Sequence, residues 1–486
     1  MHDSEELIAY GNVALLIDGE WREAIAGERL PVLNPGTEKQ IGWAALARTP
    51  DLDAALAAAA RGFAVWRQTA PLQRAKVFAG AAALLRERAA HIALLLSLEQ
   101  GKPVAEARGE IERAAEMCDW MGGETQRIYG RLIQARTADV TQMVVKDPVG
   151  IVAAFTPWNF PINQIVRKVA GALAAGCSII VKGAEETPAS CAELVRAFVD
   201  AGLPPGAVNL VFGVPAEISA YLVPHPLVRK ISFTGSTAVG KQLASFAGQH
   251  MKLATMELGG HAPTLVFADT DIDSAVKTLA AVKFRNAGQT CISPTRFLVE
   301  RPAYDRFTNL FVEAAKAIKV GPGQDPSSQM GPMANARRID AMQRLTADAM
   351  AKGAKLRLGG RRVQRDGYFF EPTVLTDVPL DAAIMNEEPF GPVALINPFD
   401  DMESAIEEAN RLPYGLAAYA FTGSAVTAKI VAEKVESGMV SINHFGLGFP
   451  EAPFGGMKES GYGFEGGSEA IEAYLQTRFV TVAGLG

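Results

Sequence analysis

The stretch Val149-Gly150-Ile151-Val152-Ala153-Ala154-Phe155-Thr156-Pro157-Trp158-Asn159-Phe160-Pro161 carries the first decision about the fold. Val149–Phe155 reads as a short apolar strand bounded by glycine and proline. A helix follows Pro161, whose fixed φ suits a first helical turn. The same alternation continues outward. Cys177–Val181 is a second buried strand, Pro188–Ala201 a helix, Val208–Phe212 a third strand and Lys230–Phe233 a fourth, with a helix from Ala238. This pattern predicts an α/β fold with a parallel sheet covered by helices on both faces. A second α/β series starts at Thr264-Leu265-Val266-Phe267 and runs to Val440-Ser441-Ile442.

Ahead of this region the chain reads as helical. Asp51-Leu52-Asp53 opens an alanine-rich helix, with aspartate at the N-cap and first turn. Pro71 opens a second long helix that closes near Gly101-Lys102-Pro103. Ile128–Ile133 and Thr141–Val145 read as a hairpin around Thr137-Ala138-Asp139. It is polar on both arms, as suits an interaction edge. The tail Phe479-Val480-Thr481-Val482 reads as a final strand able to pair with that hairpin.

Composition narrows the function classes. A chain of 486 residues suggests about three domains. Its 49% hydrophobic and 21% charged residues are ordinary for a folded soluble enzyme. A net charge of −6 gives no basic nucleic-acid face, yet leaves room for a locally positive pocket. Cys118, Cys177, Cys191 and Cys291 form no C-x-x-C pair, and the six histidines form no H-E-x-x-H. Neither a disulfide framework nor a metal site is expected. Met1–Glu6 is acidic and lacks the basic start and apolar core of a signal peptide. Ala79–Leu98, the most apolar long stretch, holds Arg86, Glu87, Arg88 and His91 and cannot span a membrane. A soluble cytoplasmic protein is expected.

Gly235-Ser236-Thr237-Ala238-Val239-Gly240-Lys241 follows the strand Ile231-Ser232-Phe233 and nearly fits the triphosphate loop G-x-x-x-x-G-K-[ST]. Gln242 stands where a hydroxyl must hold magnesium, which decides against an ATPase or GTPase. A strand, a small-residue turn and a helix start still aim backbone N–H groups at an anion. A dinucleotide pyrophosphate fits them, and so does a tight turn that binds nothing; the G-x-G-x-x-G fingerprint is absent.

Five motifs change that balance: Phe155–Pro161; Met256-Glu257-Leu258-Gly259-Gly260; Gly288-Gln289-Thr290-Cys291; Glu387-Glu388-Pro389-Phe390-Gly391-Pro392-Val393; and Pro453–Gly461. In this order and spacing they resemble the NAD(P)-dependent aldehyde dehydrogenase superfamily over almost the full length, closest to succinate-semialdehyde dehydrogenases. The resemblance implies a Rossmann-type cofactor domain (1–126 and 148–259) and an α/β catalytic domain (260–459). It also implies a small β oligomerisation arm (127–147 and 469–486) and a homodimer or homotetramer.

The chemistry suits the residues. Oxidising an aldehyde needs a nucleophile that turns the carbonyl into an adduct able to expel hydride, and a cysteine thiolate serves best. Cys291, at a turn or helix start, is that candidate; a buried inert thiol is the alternative. Asn159 can donate to the adduct's oxyanion beside the Cys291 N–H, and it also suits a helix N-cap. Glu257, in an apolar setting, can act as the base that hydrolyses the thioester, or sit in a structural ion pair. The family pattern makes it the base.

The resemblance further implies that Lys182 and Glu185 hold the adenosine ribose. Gly235 and Ser236 meet the pyrophosphate, Glu388 the nicotinamide ribose and Phe390 the nicotinamide, with Thr156, Pro157, Trp158 and Leu258 beside the cofactor. A carboxylate at Glu185 repels a 2′-phosphate, so NAD is expected over NADP. Gly183 departs from the family's frequent proline, and His261 from its frequent lysine; His261 is expected behind the site or at the surface.

Arg167 and Arg285 match positions with which succinate-semialdehyde dehydrogenases hold a substrate carboxylate, a task guanidinium geometry suits. Phe449 replaces a serine contact of that subfamily, and Ser293 replaces a second cysteine found in many members. The expected substrate is succinate semialdehyde, with glutarate or 2-oxoglutarate semialdehyde as alternatives.

Overall fold

Ile151–Phe155, Ser178–Lys182 and Val208–Val211 are buried at every position, as strands covered on both faces must be. In the computed structural model, which describes residues 10–484, they form the middle of an eight-stranded sheet. The acidic start Met1–Glu6 and the last two residues lie outside the described residues.

The strand order of that sheet is Gly461–Tyr462, Leu253–Glu257, Val228–Thr234, Ile151–Phe155, Ser178–Lys182, Val208–Val211, Leu15–Ile17, Glu20–Arg22. The five strands between 151 and 257 are parallel; the additions at both edges are antiparallel. From Ile151–Phe155 the chain builds first towards 211, then returns to build the other way from 228. This reversal leaves a crevice at the carboxyl ends of the strands, where Phe155, Lys182, Thr234 and Glu257 stand.

Five residues after Glu257 the chain enters a second sheet. Its seven strands run in the order Lys355–Leu358, Thr373–Thr376, Val393–Phe399, Pro294–Glu300, Ala262–Val266, Ala417–Phe421, Met439–Ile442. Only the edge strand Lys355–Leu358 is antiparallel. Ala262 pairs with Pro294, so the amino ends of two central strands lie together, one just after Glu257 and the other just after Cys291.

The tail pairs with the hairpin as expected. Leu475–Ala483 runs antiparallel to Val140–Pro148, which in turn pairs with Arg131–Ile133. Leu132 is 79% exposed on the outer strand of this arm.

The front of the chain departs from the helical expectation. Five short strands precede the first helix, including a three-stranded sheet of Asn12–Val13, Gln40–Ala45 and Arg29–Leu33. The signal was present: Asp18-Gly19 joins Leu15–Ile17 to Glu20–Arg22 with φ 58° and 80°, the left-handed pair that tight hairpins favour. Arg48, not Asp51, is the N-cap of Thr49–Trp66. Asp51 lies one turn in, buried, accepting from Arg48 N and Ile25 N at 3.0 Å each. The long helix after Pro71 is two helices, Pro71–Glu87 and Ala89–Gln100, broken at Arg88 and ended by Gly101 at φ 97°. Among the described residues no helix is long and apolar enough to cross a membrane.

Candidate active site

The carboxyl ends of the first sheet open onto two adjoining cavities of about 790 and 710 Å³. Pro157, Trp158, Gly235 and Ser236 line both, so they form one cleft. Thr156, Lys182 and Glu185 lie at one end, and Asn159, Glu257, Leu258, Cys291, Glu388 and Phe390 at the other.

At the first end, Lys182 completes its strand and donates to Glu185 at 2.5 Å. Gly183 is explained by its neighbour: a Cβ there would sit 2.5 Å from the Phe212 ring. Ser236 is the N-cap of the helix Thr237–Gln249, but its side chain makes no cap hydrogen bond, and the Thr237 hydroxyl is buried without a partner. The first turn of that helix therefore faces the cleft with donors to spare. Gly240 lets the helix approach Leu258, which a Cβ would meet at 2.2 Å. Further in, Glu388 accepts from Gly260 N at 3.0 Å, and burial pushes its carboxyl up to about 7. Phe390, at φ 47°, meets Trp158 edge-on at 5.6 Å, and Arg338 lies over its ring.

The nucleophile candidate sits on a turn, not at a helix start. Asn286, Ala287 and Gly288 are all left-handed, with φ 51°, 52° and 69°. Gly288 has no alternative, since a Cβ there would lie 2.1 Å from the Gly391 carbonyl. Cys291 follows, half-buried, just before the strand Pro294–Glu300; the other three cysteines are buried. Burial pushes the Cys291 thiol up to about 12, with Glu388 and Glu257 adding to the effect and Arg167 opposing it.

Asn159 is not an N-cap; Phe160 holds that position in Pro161–Ala175. The Asn159 amide instead donates to the Gln289 carbonyl at 3.1 Å, two residues before Cys291. An amide carries two N–H groups, so one is left for an oxygen at the nucleophile. The Asn159 carbonyl accepts from Asn286 Nδ2 at 2.9 Å and Lys102 Nζ at 2.8 Å.

Glu257 ends its strand with both carboxylate oxygens buried and unpartnered. Burial, then the nearby Glu465, raises its pKa well above the usual range, against Lys168 and Arg167. Lys168 is itself fully buried, paired with Glu465 and donating to Thr234 at 2.7 Å.

Arg167 is buried, donates to the Glu465 carbonyl and, at 2.9 Å, to the Gly448 carbonyl, and lies 4.6 Å over Phe454. Arg285 is half-buried, 5.4 Å over Phe160, and makes no hydrogen bond or ion pair among the described residues. Phe449 is 38% exposed beneath the guanidinium of Arg113 at 5.1 Å. His261 lies behind the site, buried between Thr295 Oγ1 and the Ile384 carbonyl.

The pattern of the aldehyde dehydrogenase family matches residues 21–480. The chain belongs to that family. It is 49% identical over 473 residues to the 4-(hydroxymethyl)benzenesulfonate dehydrogenase TsaD1 of Comamonas testosteroni, covering 97% of this chain and 98% of that one. It is 41% identical over 467 residues to the succinate-semialdehyde dehydrogenase [NADP(+)] GabD of Escherichia coli K12, covering 96% and 97%. The crystal structure of succinate-semialdehyde dehydrogenase from Burkholderia pseudomallei superposes with a TM-score of 0.96 at 40% identity, over 99% of this chain and all of that one.

This aldehyde dehydrogenase also brings to the site residues that motif reading missed. Lys102, Glu110, Lys168 and Glu465 come from elements remote in sequence and carry no local signature. Asn286 lay within reach, since a polar residue just before the Gly288-Gln289-Thr290-Cys291 turn is well placed to brace it. Tyr419 donates to the Ile292 carbonyl at 2.7 Å from a strand more than a hundred residues away.

Because the resting thiol is held protonated, alkylation of the cofactor-free enzyme by iodoacetamide should rise about tenfold per pH unit from neutrality, with no plateau below about pH 10. The rate and the modified peptide, that of Cys291, are read by mass spectrometry. A plateau near pH 7 contradicts this electrostatic account.

Proposed function

We propose that this aldehyde dehydrogenase oxidises an aldehyde with a far anionic group to the carboxylic acid, using NAD and a thioester on Cys291. The observation that carries the reading is the meeting of three groups in one cavity: a half-buried thiol, an amide braced beside it, and a carboxylate with both oxygens free.

Cys291 adds to the aldehyde carbon, giving its thiol proton to Glu257 or to water. The developing oxyanion is met by the spare N–H of Asn159 and the Cys291 backbone N–H. The cofactor, when bound, accepts the hydride of the aldehyde carbon. Glu257, a strong base once ionised because burial raises its proton affinity, then takes a proton from water as that water attacks the thioester.

Lys182 and Glu185 would hold the adenosine ribose, with Thr156, Pro157 and Trp158 along the cleft wall. The turn at Gly235 and Ser236 would hold the pyrophosphate. Glu388, Leu258 and Phe390 would hold the nicotinamide end. The free donors at the start of Thr237–Gln249 and the unpartnered Thr237 hydroxyl fit an anionic ligand there. Glu185 favours NAD over NADP by like-charge repulsion of a 2′-phosphate.

For the substrate tail, Arg167 and Arg285 are guanidinium groups without a carboxylate partner among the described residues, which suits a carboxylate or sulfonate. Both relatives compared above carry an acid group in the substrate of their names. Succinate semialdehyde is the simplest candidate, with glutarate and 2-oxoglutarate semialdehydes as longer ones. Assembly into a homodimer or homotetramer through the exposed edge of the Arg131–Ile133 arm completes the reading.

Glu257→Gln should release about one NADH per site in a burst and then turn over roughly 10²- to 10⁴-fold more slowly, since only thioester hydrolysis loses its base. Stopped-flow NADH absorbance reads both phases, and an unchanged steady state removes Glu257 from catalysis. Wild type should favour NAD over NADP by at least about tenfold in kcat/KM, and Glu185→Ser should narrow that ratio by roughly as much. Equal use of both cofactors by the wild type contradicts the assignment.

A further inference from the structure

The two cavities of the cleft meet at a waist lined by Pro157, Trp158, Gly235 and Ser236, all from the carboxyl ends of the first sheet. One charged side chain also lines both cavities, that of Arg337. It comes from elsewhere in the chain. Arg337 is the second residue of the helix Ala336–Ala351, whose Ile339, Met342 and Leu345 pack into the core of the second sheet. The waist therefore has the start of the helix Thr237–Gln249 from one half of the chain and a guanidinium from the other.

Arg337 is held in place but not used up. It donates to Glu186 at 2.6 Å, on the loop after the strand Ser178–Lys182, so the pair joins the two halves across the cleft. Asn335 caps the Arg337 helix by accepting from Arg338 N, and its amide reaches Glu186 at 3.5 Å. The Glu186 bond takes one of five guanidinium N–H groups, and Arg337 makes no other hydrogen bond among the described residues. Its side chain is 77% exposed, so a ligand can reach it. The other two cations lining the cleft are committed: Lys182 is paired with Glu185, and Arg338 donates to the Pro389 and Phe390 carbonyls. Glu185, Glu186, Glu257 and Glu388 line the same cleft, four carboxylates against three cations. A doubly negative group entering it needs a cation with donors to spare.

We infer that Arg337 is a cofactor-binding residue, which meets the dinucleotide pyrophosphate from the second-sheet half while the Gly235-Ser236 turn meets it from the first. The inference rests on the proposed dinucleotide reading of the cleft and adds to it a residue outside every motif. The planar guanidinium offers phosphate oxygens two parallel N–H groups on one edge, a match an ammonium cannot make. Glu186 anchors another N–H group of the same guanidinium, so little freedom remains to be lost when the phosphate arrives. The bound pyrophosphate then joins the two halves of the chain through Arg337.

The test reads binding, not turnover. Kd values for NADH, NADPH and ADP-ribose are taken from quenching of protein fluorescence, to which Trp158 in the cleft wall contributes, and that for adenosine from competition with NADH. Wild type, Arg337→Ala and Arg337→Lys are compared. Arg337→Ala should weaken NADH, NADPH and ADP-ribose alike by about tenfold, as suits a charge-assisted contact at an exposed residue, and move adenosine by less than about twofold. Arg337→Lys, which keeps the charge and loses the fork, should fall between. Raising KCl from about 50 to about 500 mM should weaken NADH binding several times more in the wild type than in Arg337→Ala. Because Arg337 is exposed, both variants should keep the wild-type thermal melt. An unchanged Kd for NADH in Arg337→Ala overturns the inference, as does adenosine losing as much as ADP-ribose. NADPH losing about tenfold more than NADH overturns it too, since Arg337 would then serve a 2′-phosphate. In each of these cases the cleft remains a dinucleotide site. A wild type that binds neither dinucleotide would instead overturn the cofactor reading of the cleft itself.

Discussion

Lys102 donates to Glu110 at 2.6 Å with neither side chain touching water, and much of the active-site geometry hangs on that pair. So dry an ion pair costs several kcal/mol to desolvate and holds only when further hydrogen bonds complete it. Here they do. Glu110 accepts from Ile162 N and Asn163 N at 2.9 and 3.1 Å, capping the helix that begins just after Asn159. Lys102 donates to the Asn159 carbonyl and lies 3.8 Å over Phe160. Asn286 donates to the same carbonyl, and Gln100 and Glu106 in turn hold Asn286. One stretch of chain, residues 100–110, spanning the end of one helix and the start of the next, therefore fixes both the amide proposed to meet the oxyanion and the turn that carries Cys291.

The electrostatics follow from the same enclosure. Burial holds Cys291 and Glu257 towards their protonated forms, and Glu257 adds to the cost of ionising Cys291. Two further buried side-chain pairs lie nearby, Lys168 with Glu465 and Lys102 with Glu110.

Much of this was legible in the sequence. The apolar strands from Ile151 to Glu257, the helices opened by Pro161 and Pro188, and the pairing of the tail with the hairpin follow from burial periodicity and turn residues. The grouping of Asn159, Glu257, Cys291 and Glu388 around one cleft was implied by the resemblance of their motifs to the aldehyde dehydrogenase pattern, and all four line one cavity. The short front strands were missed because two- to six-residue strands carry too little alternation to outweigh an alanine-rich helix nearby. Asp51 was read as a cap because residue type does not distinguish the N-cap from the first turn. The bracing ion pairs were beyond reach because Lys102, Lys168 and Glu465 meet their partners only through tertiary packing. The arginines could be counted but not aimed: only the structure shows Arg167 on the Gly448 carbonyl and Arg113 over Phe449.

The covalent step is the centre of the account, and acid quenching during turnover tests it most directly. Wild-type enzyme, NAD and an anionic aldehyde, stopped within milliseconds and digested with protease, should yield the Cys291 peptide heavier by the substrate's acyl group and no other modified cysteine. A quenched enzyme that forms NADH yet carries no acyl group on Cys291, or carries it elsewhere, contradicts the account.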